Sequence, residues 1–175
     1  MSTTRNASKF FIALFQSELL KTILPSLCKC TGITQNSFHK ESVFTHNMYV
    51  GDEISTQFPL IKLTGYLHDV GKPPCKNLKN TNDMVSDYTF LEHEDVGAKL
   101  IRNDLETLTF SNKEVSFVSN LTALHMRTIF TPKSLRKTVH HLEKVGLTIQ
   151  DLLRLKIADG KGKRPITLIS FKRIK

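Results

Sequence analysis

Histidines and aspartates in this chain fall in an order that could hold a divalent cation. The centre of the pattern is Leu67-His68-Asp69-Val70-Gly71-Lys72-Pro73, which puts an imidazole beside a carboxylate. Nitrogen and oxygen donors together suit a cation such as Zn, Mn, Fe, Ni or Co. An apolar run from Leu60 to Leu67 delivers the pair, and Gly71 and Pro73 stop any helix, so the pair falls at an element's end, where a pocket can open. A His-Asp dipeptide alone arises by chance. Four more residues at wide spacing give it weight: His46, His93, His125 and Asp159. Singly, each has an ordinary explanation: His46 as a hydrogen-bonded core histidine, His93 and His125 as polar or solvent-facing residues, Asp159 as a cap for the turn at Gly160. The order His, His-Asp, His, His, Asp along successive helical segments favours a shared metal. His39, His140 and His141 lie outside this order and are read as surface residues.

The elements that must present these residues are mostly helical. Apolar residues recur three and four apart from Ala7 to Leu24, predicting one amphipathic helix ending before Pro25. A second helix opens near Ser37 or Lys40-Glu41 and carries His46, with Gly51-Asp52 either interrupting it or accommodated. A third, roughly 57–68, ends in the His-Asp motif. The polar stretch Pro73 to Asp83 reads as a substrate-facing loop or hairpin, or as a solvated tip. Helical pattern resumes at Glu92. Ser111 with Glu114 forms a capping box for a helix over 112–126. Thr131-Pro132 opens a helix to Glu143, closed by Gly146, and Thr148 caps a last helix, Ile149 to Ala158, before Gly160. Ile166 to Phe171 reads as a short strand or a docked extension. The expected fold is all-α, a single-domain bundle of about six to seven helices. It divides into an N-terminal helix and linker (1–40), a core (41–164) and a basic tail (165–175).

The chain has 175 residues, 39% hydrophobic and 23% charged, proportions that fit one globular domain and argue against disorder. No apolar run reaches the roughly 20 residues needed to span a bilayer, and no membrane role is expected. The apolar stretch from Phe10 to Phe15 is read as part of the fold rather than as a signal core. Cys28, Cys30 and Cys75 are odd in number and unsuitably spaced for a disulfide framework or a cysteine knuckle, which points to free thiols and a reducing, cytoplasmic setting. The net charge of +9 is unevenly placed. Residues 1–132 carry 13 basic and 13 acidic side chains, whereas residues 133–175 carry 12 basic and 3 acidic. A one-sided basic segment attracts phosphate or RNA, or forms a solvated face.

Phe44-Thr45-His46, the Leu67–Pro73 stretch, Glu92-His93-Glu94, Leu124-His125-Met126 and Leu155 to Asp159 together resemble the HD superfamily of metal-dependent phosphohydrolases. Within it, the sequence is most similar to the C-terminal HD domain of bacterial CCA-adding tRNA nucleotidyltransferases, over about Glu41 to Arg164. The nucleotidyltransferase head of those enzymes is missing here, so CCA addition is not expected. Two further departures stand out. Leu91-Glu92 replaces an aromatic-glycine pair before His93, and Asp159 is followed by Gly160-Lys161-Gly162-Lys163 where an arginine is usual, leaving a point charge in place of a bidentate fork.

The resemblance implies that His46, His68, Asp69 and Asp159 hold one metal, that Asp69 bridges to a second, and that His93 and His125 complete that second site. One or two divalent ions are implied, of Mn, Ni, Co, Fe, Zn or Mg. Asp69 and Lys72 are the candidate catalytic residues. Lys72, held beside the His-Asp pair by Gly71, is placed to touch a substrate phosphate, with Arg127 and Lys163 as further phosphate contacts. The implied activities are 2',3'-cyclic phosphodiesterase, 2'-nucleotidase or phosphatase on nucleotides or RNA ends, and tRNA is a candidate partner. Hydrolysis of free nucleotides (nucleoside monophosphates, dNTPs or cyclic dinucleotides) is one alternative. A catalytically silent RNA-binding module is another.

Overall fold

Helical periodicity from Ala7 produces α1 (Ser8–Gln16), but the helix does not run on to Leu24 as the spacing predicts. The computed structural model describes residues 6–34, 41–78 and 88–162. In it Glu18 takes a left-handed backbone (φ 60°), which ends α1 and starts α2 (Leu20–Ile23) and then α3 (Pro25–Cys28). The break lets Leu20, Leu24 and Leu27 reach the same core as Phe11, which a straight helix could not do.

The next helix, α4 (Val43–Glu53), begins after Ser42, whose hydroxyl accepts from the Thr45 amide, and not at Ser37 or Lys40. Gly51 stays inside it. A Cβ there would lie 2.2 Å from the Tyr66 ring, so glycine is what lets α4 cross closely over α5 (Pro59–Leu67). Asp52 ties this crossing to the N-terminus. Its carboxylate accepts from the Tyr66 hydroxyl, from the Ser8 hydroxyl and from the Ser8 amide at 3.2 Å. Lys62, fully buried, donates to the carbonyls of Gly51 and Ile54 at 2.7 and 2.9 Å, so α5 supplies a cation to the negative end of α4.

After the motif, β1 (Asn77–Leu78) and β2 (Tyr88–Thr89) pair antiparallel, with Asn77 opposite Thr89, which favours the hairpin reading over the solvated tip. Four helices follow: α6 (His93–Glu106), α7 (Asn112–Leu124), α8 (Pro132–Lys144) and α9 (Ile149–Gly162). The Ser111–Glu114 capping box is formed, and a second joins Thr131 to Ser134. Helix α9 does not stop at Ala158. It continues through Gly160 to Gly162, which packs against Val50 of α4.

Among the described residues the fold is therefore all-α apart from the small hairpin. It has nine helices, more than expected because the N-terminal segment is broken. One core cluster joins α1–α6 with the first half of α7, and another joins α4 and α5 with Leu121, Leu142, Leu152 and Leu155. No helix among the described residues is long and apolar enough to cross a membrane. All three cysteines are free. The 166–171 segment and His39 lie outside the described residues.

Candidate metal centre

His68 is the residue at which α5 ends, and His125 stands in the same place after α7. Each ring turns back on its own last turn. Nδ1–H of His68 donates to the Gly65 carbonyl at 2.9 Å, and that of His125 to the Thr122 carbonyl at 2.6 Å. His93, the first residue of α6, repeats the device with the Phe90 carbonyl at 2.7 Å. A carbonyl can only accept, so in all three rings Nδ1 carries the proton and Nε2 is left with a lone pair facing inward.

The inward nitrogens meet around Asp69. Its Oδ2 lies 3.4 Å from His68 Nε2 and 3.8 Å from His46 Nε2, while its Oδ1 lies 3.3 Å from His93 Nε2 and 3.8 Å from His125 Nε2. Asp159, one turn before the end of α9, accepts from His46 Nε2 at 3.0 Å and stands 3.9 Å from His68 Nε2. Two donor sets result, each with its ligand atoms within 4.8 Å of one another: His46, His68 and Asp159 on one side, and Asp69, His93 and His125 on the other. The four rings form a chain, with neighbouring centroids 5.2 to 5.3 Å apart.

The electrostatics fit a cation. His93 Nε2 is buried 3.3 Å from Asp69 Oδ1 and has no well-aligned hydrogen bond to satisfy it. A buried nitrogen lone pair aimed at a carboxylate is what a metal ligand needs before the ion arrives. Burial pushes the His125 imidazole down to about 3, with His68 adding to the effect, and burial also lowers His68, so both rings are neutral near pH 7. Burial would raise Asp69, yet His68, Lys72, His93 and His46 together hold it well below the carboxylate range. Burial likewise opposes ionisation of Asp159, but the hydrogen bond from His46, with His68 nearby, outweighs it and holds the group below the carboxylate range. His93 goes the other way: burial lowers it, but Asp69 and the Phe90 carbonyl raise it on balance.

The centre opens where Asp159 is 29% exposed and Lys72 15% exposed. Lys72 Nζ lies 2.6 Å from Asp69 Oδ2 and 5.7 Å from the Phe90 ring centroid, so it reaches the centre from the rim. Arg127 is exposed on the loop after His125 and joins neither donor set. Lys163 lies outside the described residues. Two supporting carboxylates escaped the sequence reading: Glu94, 3.4 Å from His93 Nδ1, and Glu41, 3.9 Å from His46 Nδ1. Glu94 falls in the first turn of α6, where the dipole alone explains an acid, and Glu41 precedes the cap of α4, so neither position signalled its closeness to a ring. A cavity of about 740 Å³ lies elsewhere, between α1, α5 and the turn before α7. Its lining includes Phe10, Leu14, Leu63 and Phe110, and it offers no ligand set.

Glu92, in place of the glycine expected before His93, adopts φ 63° and ψ 15°. A side chain in the left-handed region costs about 1–2 kcal/mol. Glu92→Gly is therefore expected to raise stability by about 1 kcal/mol, after allowing for glycine's freedom in the unfolded chain. Thermal melting checks this, with an increase of roughly 2–4 °C anticipated.

Comparison with known proteins agrees with this geometry. A family model described as the HD domain matches residues 41–167. The chain is 29% identical over 153 residues to the CC-adding tRNA nucleotidyltransferase of Thermus thermophilus, covering 85% of this chain and 34% of that protein. It thus spans about a third of that relative's length. With the family model matching well over half the chain and the His-Asp pair at the heart of both donor sets, the chain belongs to the HD domain family, a membership that points to metal-dependent phosphohydrolase chemistry.

Proposed function

We propose that this protein hydrolyses phosphoesters of nucleotides or RNA ends, as a 2',3'-cyclic phosphodiesterase, 2'-nucleotidase or phosphatase. The observation that carries the reading is the division of Asp69: one carboxylate, two oxygens, each facing a separate pair of imidazoles. The uneven basic charge supports a polyanionic substrate, and so does the likeness to a protein named as a tRNA nucleotidyltransferase.

His46, His68, Asp69 and Asp159 would hold one ion, and Asp69, His93 and His125 a second. A divalent ion in such a site supplies Lewis-acid polarisation of a phosphoryl oxygen and activation of water. The protein's own residues do the rest. Backbone-clamped imidazoles keep their lone pairs aimed without reorganisation. Asp69, held ionised, cannot donate a proton and stays an acceptor at both oxygens. Lys72 brings a positive charge to the rim, where phosphate charge must be neutralised, and this matters because phosphoryl transfer depends on positioning and electrostatics. Lys72→Ala is expected to lower kcat/KM roughly 100-fold.

The test is a substrate panel on protein purified without chelator: 2',3'-cyclic AMP, 2'-AMP and an aryl phosphate, with Mn, Ni, Co and Mg in turn. Turnover of the cyclic or 2' substrate supports the reading. Metal-loaded protein that turns over none of them, while still binding RNA, would replace it with a binding module.

Proton competition gives a second measurement. Ligand imidazoles must be neutral, so a raised pKa makes protons compete at a higher pH. His93 is the raised one and His125 the strongly lowered one. As pH falls from about 8 to 6, metal affinity is expected to drop at the Asp69–His93–His125 set, by close to tenfold per pH unit once below the His93 pKa. Calorimetric metal titrations across that range check this.

A further inference from the structure

We propose that the loop after His125 and helix α8 form a track for single-stranded RNA that leads to the rim of the metal centre. The proposal rests on the RNA-end reading above and names the surface that would select such a substrate. Phe130 is 91% exposed, five residues after the ligand His125. Folding leaves few aromatic rings so bare, and this one is held in place: the Thr138 hydroxyl of α8 donates to the Thr128 carbonyl at 2.9 Å, fastening the loop to the helix. Beyond the ring, α8 presents Lys133, Arg136, Lys137, His140 and Lys144, all at the surface. Their spacing of three, four and seven puts them on one helical face, about 16 Å long at 1.5 Å per residue. The opposite face buries Thr138 and Leu142. Glu143 is the one acid of α8, near the far end of the stripe.

An exposed ring at the head of a cationic stripe matches how proteins hold single strands, with bases stacked on aromatics and the backbone following positive charge. A bilayer fits poorly. An interfacial helix needs a broad apolar face turned outward, and in α8 Leu142 is spent on the domain core, which leaves Leu135, 39% exposed, as the one exposed large apolar side chain of the helix.

Fluorescence anisotropy with a labelled single-stranded RNA of about ten nucleotides tests this, with EDTA present so that no turnover consumes the probe. Wild type should bind. The combined Lys133→Glu, Arg136→Glu and Lys137→Glu variant should bind about 100-fold more weakly at low salt, and the slope of log affinity against log salt should shrink by about 2, as three lost phosphate contacts require. Phe130→Ala should weaken binding about tenfold and leave that slope unchanged, with Phe130→Trp restoring affinity. Circular dichroism melts confirm that these surface variants fold. Equal RNA binding by the charge-reversed protein overturns the track, and so does preference of the wild type for phosphatidylserine vesicles over RNA. Because binding is read without metal, an inactive substrate panel would defeat the proposed reaction and leave this result standing, and the reverse also holds.

Discussion

Asp69→Ala should empty both donor sets at once and lower phosphoester turnover by roughly a thousandfold or more, about 4 kcal/mol of barrier. Removing any imidazole takes a ligand from one set. Removing Asp69 takes the carboxylate whose two oxygens face all four rings. The metal-free protein carries its own signature of the loss. His93 is raised by Asp69 against the pull of burial, so without the carboxylate burial prevails and the His93 titration should move down. Lys72 also loses its partner at 2.6 Å. Metal analysis, activity and histidine NMR titration on the one variant check all three. Retention of both ions would show that Asp69 does not join the two sets.

Gly71→Ala should separate the two sets. A Cβ at position 71 would lie 2.0 Å from the His93 carbonyl oxygen and 2.6 Å from the Gly97 amide nitrogen. Both are backbone atoms, so no side chain can swing aside, and the start of α6 must move. Overpacking of this severity costs about 3 kcal/mol, at the upper end of the usual range, or near 10 °C in Tm for a chain of this size. The displacement falls on His93. The set made by His46, His68 and Asp159 uses α4, the end of α5 and α9 and takes no ligand from α6, so stoichiometry should fall from two ions to one. Gly97→Ala is the milder companion, its nearest neighbour being 3.2 Å away.

The site residues were legible because helix punctuation is local. Gly71 and Pro73 mark the end of α5, so the His-Asp pair could be placed at an element's end from the sequence, and Ser111 with Glu114 marks the start of α7, although its end at His125 was not read. What could not be read depends on distant contacts. The break at Glu18 follows from where Leu20 and Leu27 find a core, and the role of Asp52 from Ser8 and Tyr66 arriving from two other helices. The continuation of α9 past Gly160 follows from Gly162 docking on Val50. The motif resemblance brought the ligands together. The closeness of Glu41 and Glu94 to the rings became visible only in three dimensions.

Three of the four imidazoles are aimed by carbonyls three residues earlier in the chain, so their presentation travels with short pieces of sequence. Loops between those pieces are free to drift over evolutionary time without disturbing how the rings point. His46 is governed differently, by Asp159 from across 113 residues. That pair senses how α9 sits on α4, and a slackened seat for the last helix would be felt there before any other ligand noticed.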